Sequence, residues 1–276
     1  MKITVYENEI KLTGITDFDL ERTFNCGQCF RWDADETGAY TGVAFGHVVN
    51  IRQCAENVLI TCSEREFFSV WHDYFDLTRD YSLIREQLCI DDFMKNAIEY
   101  GKGIRILCQD KWETLCSFII SQNNNIPRIK SIINTLCREF GDEIEYGGKI
   151  YYTFPSAGKI AGLCAGDLSP LRCGYRAEYI IRSAEMVAAG IINLEKLADG
   201  SLKNTRSTLK TLHGVGDKVA DCVMLFGFHM LDAFPVDVWM KRAVVKHYGS
   251  GFDPKIFTPY AGIAQQYIFH YTRNMT

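Results

Sequence analysis

The chain has 276 residues, 47% apolar and 23% charged, with a formal net charge of −4; this composition excludes a disordered or collagen-like chain and suits one large domain or two to three closely packed ones. No apolar run reaches the roughly 20 residues that span a bilayer, and the start, MKITVYENEIKLTG, alternates like a strand and lacks the apolar core of a signal peptide, so no membrane partner and a cytoplasmic location are expected. The charge is uneven: residues 1–100 carry 9 Lys and Arg against 18 Asp and Glu, whereas residues 101–276 carry 21 against 16, so an anionic partner belongs with the second stretch.

Taken in chain order, ITVYENEIKL, AYTGVAFGHVVNIRQ and NVLITCS alternate apolar and polar residues between turn signals, the pattern of an antiparallel sheet. Helical periodicity follows around Glu64 to Tyr74 and Tyr81 to Tyr100, and the turn Gly101-Lys102-Gly103 closes an N-terminal unit of residues 1–100. From Ile104 the periodicity is helical, with breaks at Asn123 to Asn125, Gly141, Gly147-Gly148, Pro155, Pro170, Gly190, Gly200 and Pro235. The expectation is an α+β chain: an N-terminal antiparallel sheet domain with helices, then an all-helical region over residues 101–276. The eleven cysteines are scattered through apolar segments, which argues for reduced core residues rather than a disulfide framework. Cys26 and Cys29 have metal-like spacing, but no second close pair completes four ligands, so no metal site is expected. No cysteine follows Cys222, so a C-terminal iron-sulfur cluster is not expected either.

One segment joins several of these signals. In LHGVGDKVADCVMLFGFHMLDAFPVD, from Leu212 to Asp237, a hairpin Gly214-Val215-Gly216 leads into an apolar helical run beginning at Asp217 and Lys218. Glycine admits positive φ and lets backbone approach a ligand closely, and hairpin amides ending at a helix N-terminus favour phosphate. This reads as a helix-hairpin-helix holding a nucleic-acid backbone. Pro235 and Val236 break the chain, and Asp237 stands where an N-cap would start the helix VWMKRAVVKHY. Lys218 and Asp237 can therefore face one pocket from two helix starts.

The segment resembles the helix-hairpin-helix, Gly/Pro-rich loop, Asp superfamily of DNA glycosylases. Four more segments, CGQCFRW (Cys26 to Trp32), GIRILCQDKWETLCSFIISQNNNIPRI (Gly103 to Ile129), GYRAEY (Gly174 to Tyr179) and PYAGIAQQYIF (Pro259 to Phe269), are similar to motifs of the 8-oxoguanine DNA glycosylase family and occur in its order. The resemblance covers nearly the whole chain and suggests a prokaryotic member, acting as a monomer on double-stranded DNA at the nucleoid. It implies a glycosylase body of two helical subdomains flanking the active-site cleft, and a bifunctional enzyme that excises 8-oxoguanine opposite cytosine and nicks the strand by β-elimination in base excision repair. No cofactor is required for such chemistry, although a structural cation at the hairpin carbonyls is compatible with it. Two departures stand out: Trp239 replaces a histidine that animal members place near a phosphate, and His213 replaces the usual hairpin proline.

Breaking the bond between sugar and base with an amine yields a Schiff base, and the amine must attack as the free base. Lys218, at the positive dipole end of its helix, fits the nucleophile, and Asp237 fits a group that stabilises positive charge on the sugar. The plainer readings are a phosphate-binding lysine and a structural N-cap. Gln265 and Phe269 are four apart on one helix face, and Cys222 is four beyond Lys218; by resemblance these read the edge of a flipped base and cover its two sides, against plain core packing. Gly27 matches the family glycine whose carbonyl meets N7 of the lesion, which bears hydrogen in 8-oxoguanine and a lone pair in guanine. Asn123, Arg128 and Arg176 match residues that bond the orphaned cytosine, and Tyr175 the aromatic wedge, with surface salt bridges as the alternative for the arginines. The competing functions are a helix-hairpin-helix glycosylase for another purine lesion and a non-catalytic damaged-DNA binding module. Lys218 argues against a pure binder, which has no need of an amine there.

Overall fold

Alternation in the first sixty residues builds a six-stranded antiparallel sheet in a computed structural model that describes residues 1–275. Strands β1 (Lys2–Val5), β2 (Ile10–Thr13), β3 (Trp32–Ala34), β4 (Tyr40–Ala44), β5 (His47–Cys54) and β6 (Asn57–Thr61) lie in the order β1-β2-β6-β5-β4-β3. ITVYENEIKL is thus a hairpin, in which Val5 pairs with Ile10. One face buries Ile10, Leu12, Val49, Ile51, Val58 and Ile60 against α1 (Leu20–Asn25) and a segment of α2 (Glu64–Glu66), a π turn (Phe67–Trp71) and α3 (His72–Tyr74). Trp32 anchors this core: its ring stacks on Phe24 at 4.1 Å and its Nε1 donates to the Tyr74 hydroxyl at 2.8 Å.

The helical part comprises α4 (Tyr81–Leu88), α5 (Asp92–Gly101), α6 (Lys111–Ser121), α7 (Ile126–Phe140), α8 (Ala157–Ala161), α9 (Arg176–Ala188), α10 (Leu194–Ala198), α11 (Leu202–Leu209), α12 (Asp217–Phe226), α13 (Val238–Tyr248) and α14 (Ala261–Met275). Helices α4 and α5 bury Ile84, Leu88, Met94 and Ala97 in the helical core rather than under the sheet, and α5 packs along α14. No helix among the described residues is long and apolar enough to cross a membrane.

The expectation of helix alone after residue 104 needs one correction. Strands β7 (Glu143–Tyr146) and β8 (Lys149–Tyr152) form a second antiparallel hairpin. Its turn is Gly147-Gly148, both at positive φ (58° and 72°). Two such residues form the primed turn that suits a two-residue hairpin, so the glycine pair that reads as a helix break also pairs two strands.

Candidate active site and DNA-binding face

The segment Cys26 to Trp32 stitches the two cores together: Cys26 and Phe30 pack into the helical core, Cys29 and Trp32 into the sheet core. Gln28, fully buried, donates from Nε2 to the carbonyls of Thr23 (2.9 Å) and Arg105 (2.8 Å) and accepts from the Leu107 amide (2.9 Å). Arg31 bonds Glu113 at 3.2 Å and the Tyr152 carbonyl, tying sheet, α6 and β8 together. These bonds anchor the loop in which Gly27 turns at φ +87°. A Cβ at Gly27 would lie 3.6 Å from the Phe269 ring.

Helix α12 starts at the hairpin, and Gly216 as its N-cap supplies no side-chain hydrogen bond, leaving the first amides of the helix to a ligand. Gly214 takes φ +79°, whereas Gly216 is at −95°. Any Cβ on Gly214 would also sit 2.2 Å from the Tyr179 ring, which edge-packs on His213 at 4.9 Å. So His213 occupies the place of the usual proline as an aromatic partner, and Val215 is buried beneath.

Lys218 lies on the first turn of α12, its Nζ 3.4 Å from Ser121 Oγ and 5.0 Å from the centre of the Phe118 ring. Asp237 caps α13, its Oδ1 accepting from the Met240 amide at 2.8 Å. The two open onto one cavity of about 50 Å³ together with Gly27, Cys222, Gln265 and Phe269. Burial pushes the Cys222 thiol up to about 11, although Lys218 pulls it down, so it stays protonated at neutral pH. Gln265 is 5% exposed and its Oε1 has no hydrogen-bond partner.

The same cavity holds residues that the sequence reading passed over. Gln266 is 2% exposed and donates from Nε2 to the Cys26 carbonyl at 2.8 Å, fixing the peptide before Gly27. Phe118 and Phe226 stack at 5.4 Å on another wall. Adjacent glutamines in an apolar helix were the available signal, since a buried amide needs a partner.

On the outer face, Tyr175 is 52% exposed and Asn123 is exposed at φ +48°. Arg128 is exposed and donates to the Arg172 carbonyl at 3.2 Å. Arg176 differs from these: it is 6% exposed and donates to the carbonyls of Gln122, Asn123 and Cys173, beneath the Tyr175 ring at 4.6 Å. Its guanidinium braces the loop that carries Asn123. Among the described residues no three His, Cys, Asp or Glu side chains are grouped to hold a metal ion.

Comparison with known proteins places the fold and the family. Residues 11–115 match the 8-oxoguanine DNA glycosylase N-terminal domain, and residues 116–256 the HhH-GPD superfamily of base excision DNA repair proteins. The chain is 34% identical over 255 residues to the Saccharomyces cerevisiae N-glycosylase/DNA lyase, covering 83% of this chain and 68% of that one. It superposes on MBOgg1 in complex with a low-affinity DNA ligand at TM-score 0.95, with 47% identity over 100% of this chain and 99% of that one. The Clostridium acetobutylicum 8-oxoguanine glycosylase/lyase, solved with double-stranded DNA containing cytosine opposite 8-oxoguanine, gives TM-score 0.94 and 39% identity over 100% and 98%. With both domain models matched in order along one chain, the protein belongs to the 8-oxoguanine DNA glycosylase family of the HhH-GPD superfamily.

Proposed function

We propose that the protein excises 8-oxoguanine opposite cytosine from duplex DNA and nicks the strand, with Lys218 as nucleophile. The observation that carries this is the meeting of Lys218, Asp237, Gly27, Cys222, Gln265 and Phe269 at one cavity, contributed by four separate parts of the chain.

The Lys218 amine forms a bond to C1′ as the bond from C1′ to the base nitrogen breaks, the electron pair leaving with the base. Asp237 stabilises the positive charge that builds on the sugar. Loss of the amine proton and opening of the ring give the Schiff base. Removal of a C2′ proton then expels the 3′-phosphate, and water releases the lysine. This chemistry calls on no metal or organic cofactor. The unpartnered Gln265 Oε1 is an acceptor for an N–H on the base edge, and supplying that donor removes the cost of a buried unpaired oxygen. The carbonyl of Gly27, on a loop fixed by Gln28 and Gln266, accepts from N7–H of the lesion and repels the N7 lone pair of guanine.

At about 50 Å³ the cavity has room for only one or two waters. Phe269 also lines a second cavity of about 360 Å³. Asn123, Arg128 and Tyr175 project from the face beside the hairpin and serve the orphaned cytosine and the wedge, with Arg176 holding the loop of Asn123 in place.

The test is borohydride trapping on duplexes containing 8-oxoguanine. The wild type is expected to give a covalent adduct, and Lys218→Gln to keep lesion binding while losing both adduct and base release. An adduct of normal yield with the variant removes Lys218 from the mechanism.

A further inference from the structure

Beyond the base pocket, helix α13 borders a second concave site that the excision chemistry leaves unused. Asp237 caps this helix at the base pocket. Trp239, Arg242 and Lys246, spaced i, i+3 and i+7 on one face, line a cavity of about 620 Å³ closed by α5 and α14. Trp239 is 46% exposed with the Arg242 guanidinium 5.8 Å from its ring centre. Across the groove Phe93 stacks flat on His247 at 3.7 Å and 8°, with Tyr271 edge-on at 6.0 Å. Burial and Lys246 hold the His247 imidazole below its ordinary value, so at neutral pH it adds a ring rather than a charge. Neither Arg242 nor Lys246 makes an ion pair among the described residues; the acid lining the groove is Asp92.

Aromatic faces interleaved with unpaired cations bind unpaired nucleic acid, the rings stacking bases and the cations meeting phosphates. A volume of about 620 Å³ lies within the roughly 300–1,000 Å³ of small-molecule sites, enough for one or two nucleotides and too little for stacked base pairs. The groove lies along the helix that Asp237 caps: Asp237 and Lys246 are nine residues apart, roughly 13 Å at about 1.5 Å per residue. We infer that this groove binds unpaired DNA, stacking a base on Trp239 while Arg242 and Lys246 hold its phosphates, so that the strand beside the lesion is held as its nucleotide is flipped. The last clause rests on reading the cavity at Asp237 as the base pocket; the binding itself does not.

The experiment measures anisotropy of a labelled oligothymidylate of about eight nucleotides against the full-length enzyme over a salt series. The wild type is expected to bind. Trp239→Ala weakens binding about 10-fold or more, within the range of one lost base stack, and Trp239→Phe restores most of it. Arg242→Ala with Lys246→Ala reduces the slope of log affinity against log salt by about 1.4, the value for two single-strand phosphates. Phe269→Ala, in the base pocket, leaves oligothymidylate affinity unchanged. The proposal is overturned if the wild type does not bind, if the groove variants bind like the wild type, or if Phe269→Ala accounts for the loss. Thymidine monophosphate that displaces the oligomer at equal affinity also overturns it, as that marks a mononucleotide site. Borohydride trapping is read in parallel: absence of an adduct from wild type refutes the excision mechanism, while oligothymidylate binding judges the groove.

Discussion

Side chains given one role from sequence have different surroundings in the folded protein. Arg128 and Arg176 both looked available to a base, yet Arg176 is enclosed by three carbonyls and Arg128 reaches the surface. Arg128→Ala is therefore expected to flatten the preference for cytosine over adenine by about 1–3 kcal/mol, the worth of a well-made base contact, while 8-oxoguanine stays preferred over guanine. Single-turnover excision from the four pairings measures this, and an unchanged ranking assigns Arg128 to the surface. Gly27 tests the lesion pocket. At φ +87° an alanine is strained, and its methyl meets Phe269 at 3.6 Å. Gly27→Ala is expected to slow excision while sparing affinity for an abasic-site analogue, which puts no base in the pocket; equal losses for both ligands indicate a folding defect. Gln266 escaped the sequence reading because its role exists only once residue 26 lies beside it, 240 positions away in the chain.

At the scale of the element, the two residues proposed for the chemistry stand at helix starts. Lys218 and Asp237 were legible because hairpin, apolar run and proline break are local signals, and the cap at Asp237 closes as expected through the Met240 amide. Asparagine caps a helix as well as aspartate does, so Asp237→Asn separates the two roles of this residue. The single-turnover rate is expected to fall by at least about 10²-fold, as for other positioned charges, with the melting temperature nearly unchanged. A retained rate shows that Asp237 acts only as a cap. By contrast, the hairpin of β7 and β8 was read as helix interrupted by glycines. Its residues Ile144, Tyr146, Tyr151 and Tyr152 are only partly buried, so the pattern of a core strand is weak.

The whole molecule depends on how closely α14 is seated. Gly262 donates its amide to the Leu231 carbonyl at 2.7 Å, and a Cβ there would come within 2.6 Å of the Ala233 carbonyl oxygen and 2.3 Å of a Leu225 methyl. Gly262→Ala is expected to destabilise by about 1–3 kcal/mol, as overpacking does, and to lower the melting temperature by a few degrees in thermal unfolding. Since α14 also carries Gln265 and Phe269, excision is expected to weaken with it. An unchanged melting temperature shows that the helix can move outward at no cost.

Sequence alone determined the sheet and the helix-hairpin-helix, because periodicity, glycine turns and helix caps act over a few neighbouring positions; Gly27, Cys222, Gln265 and Phe269 were picked out only through the family resemblance. Only the tertiary structure decided that Arg176 braces a loop, that α4 and α5 belong to the helical core, and that Trp239, Arg242 and Lys246 face Phe93 across a groove. Those outcomes follow from packing between elements far apart in the chain, where the partner that satisfies a donor or covers a ring is set by the fold and not by the sequence around it.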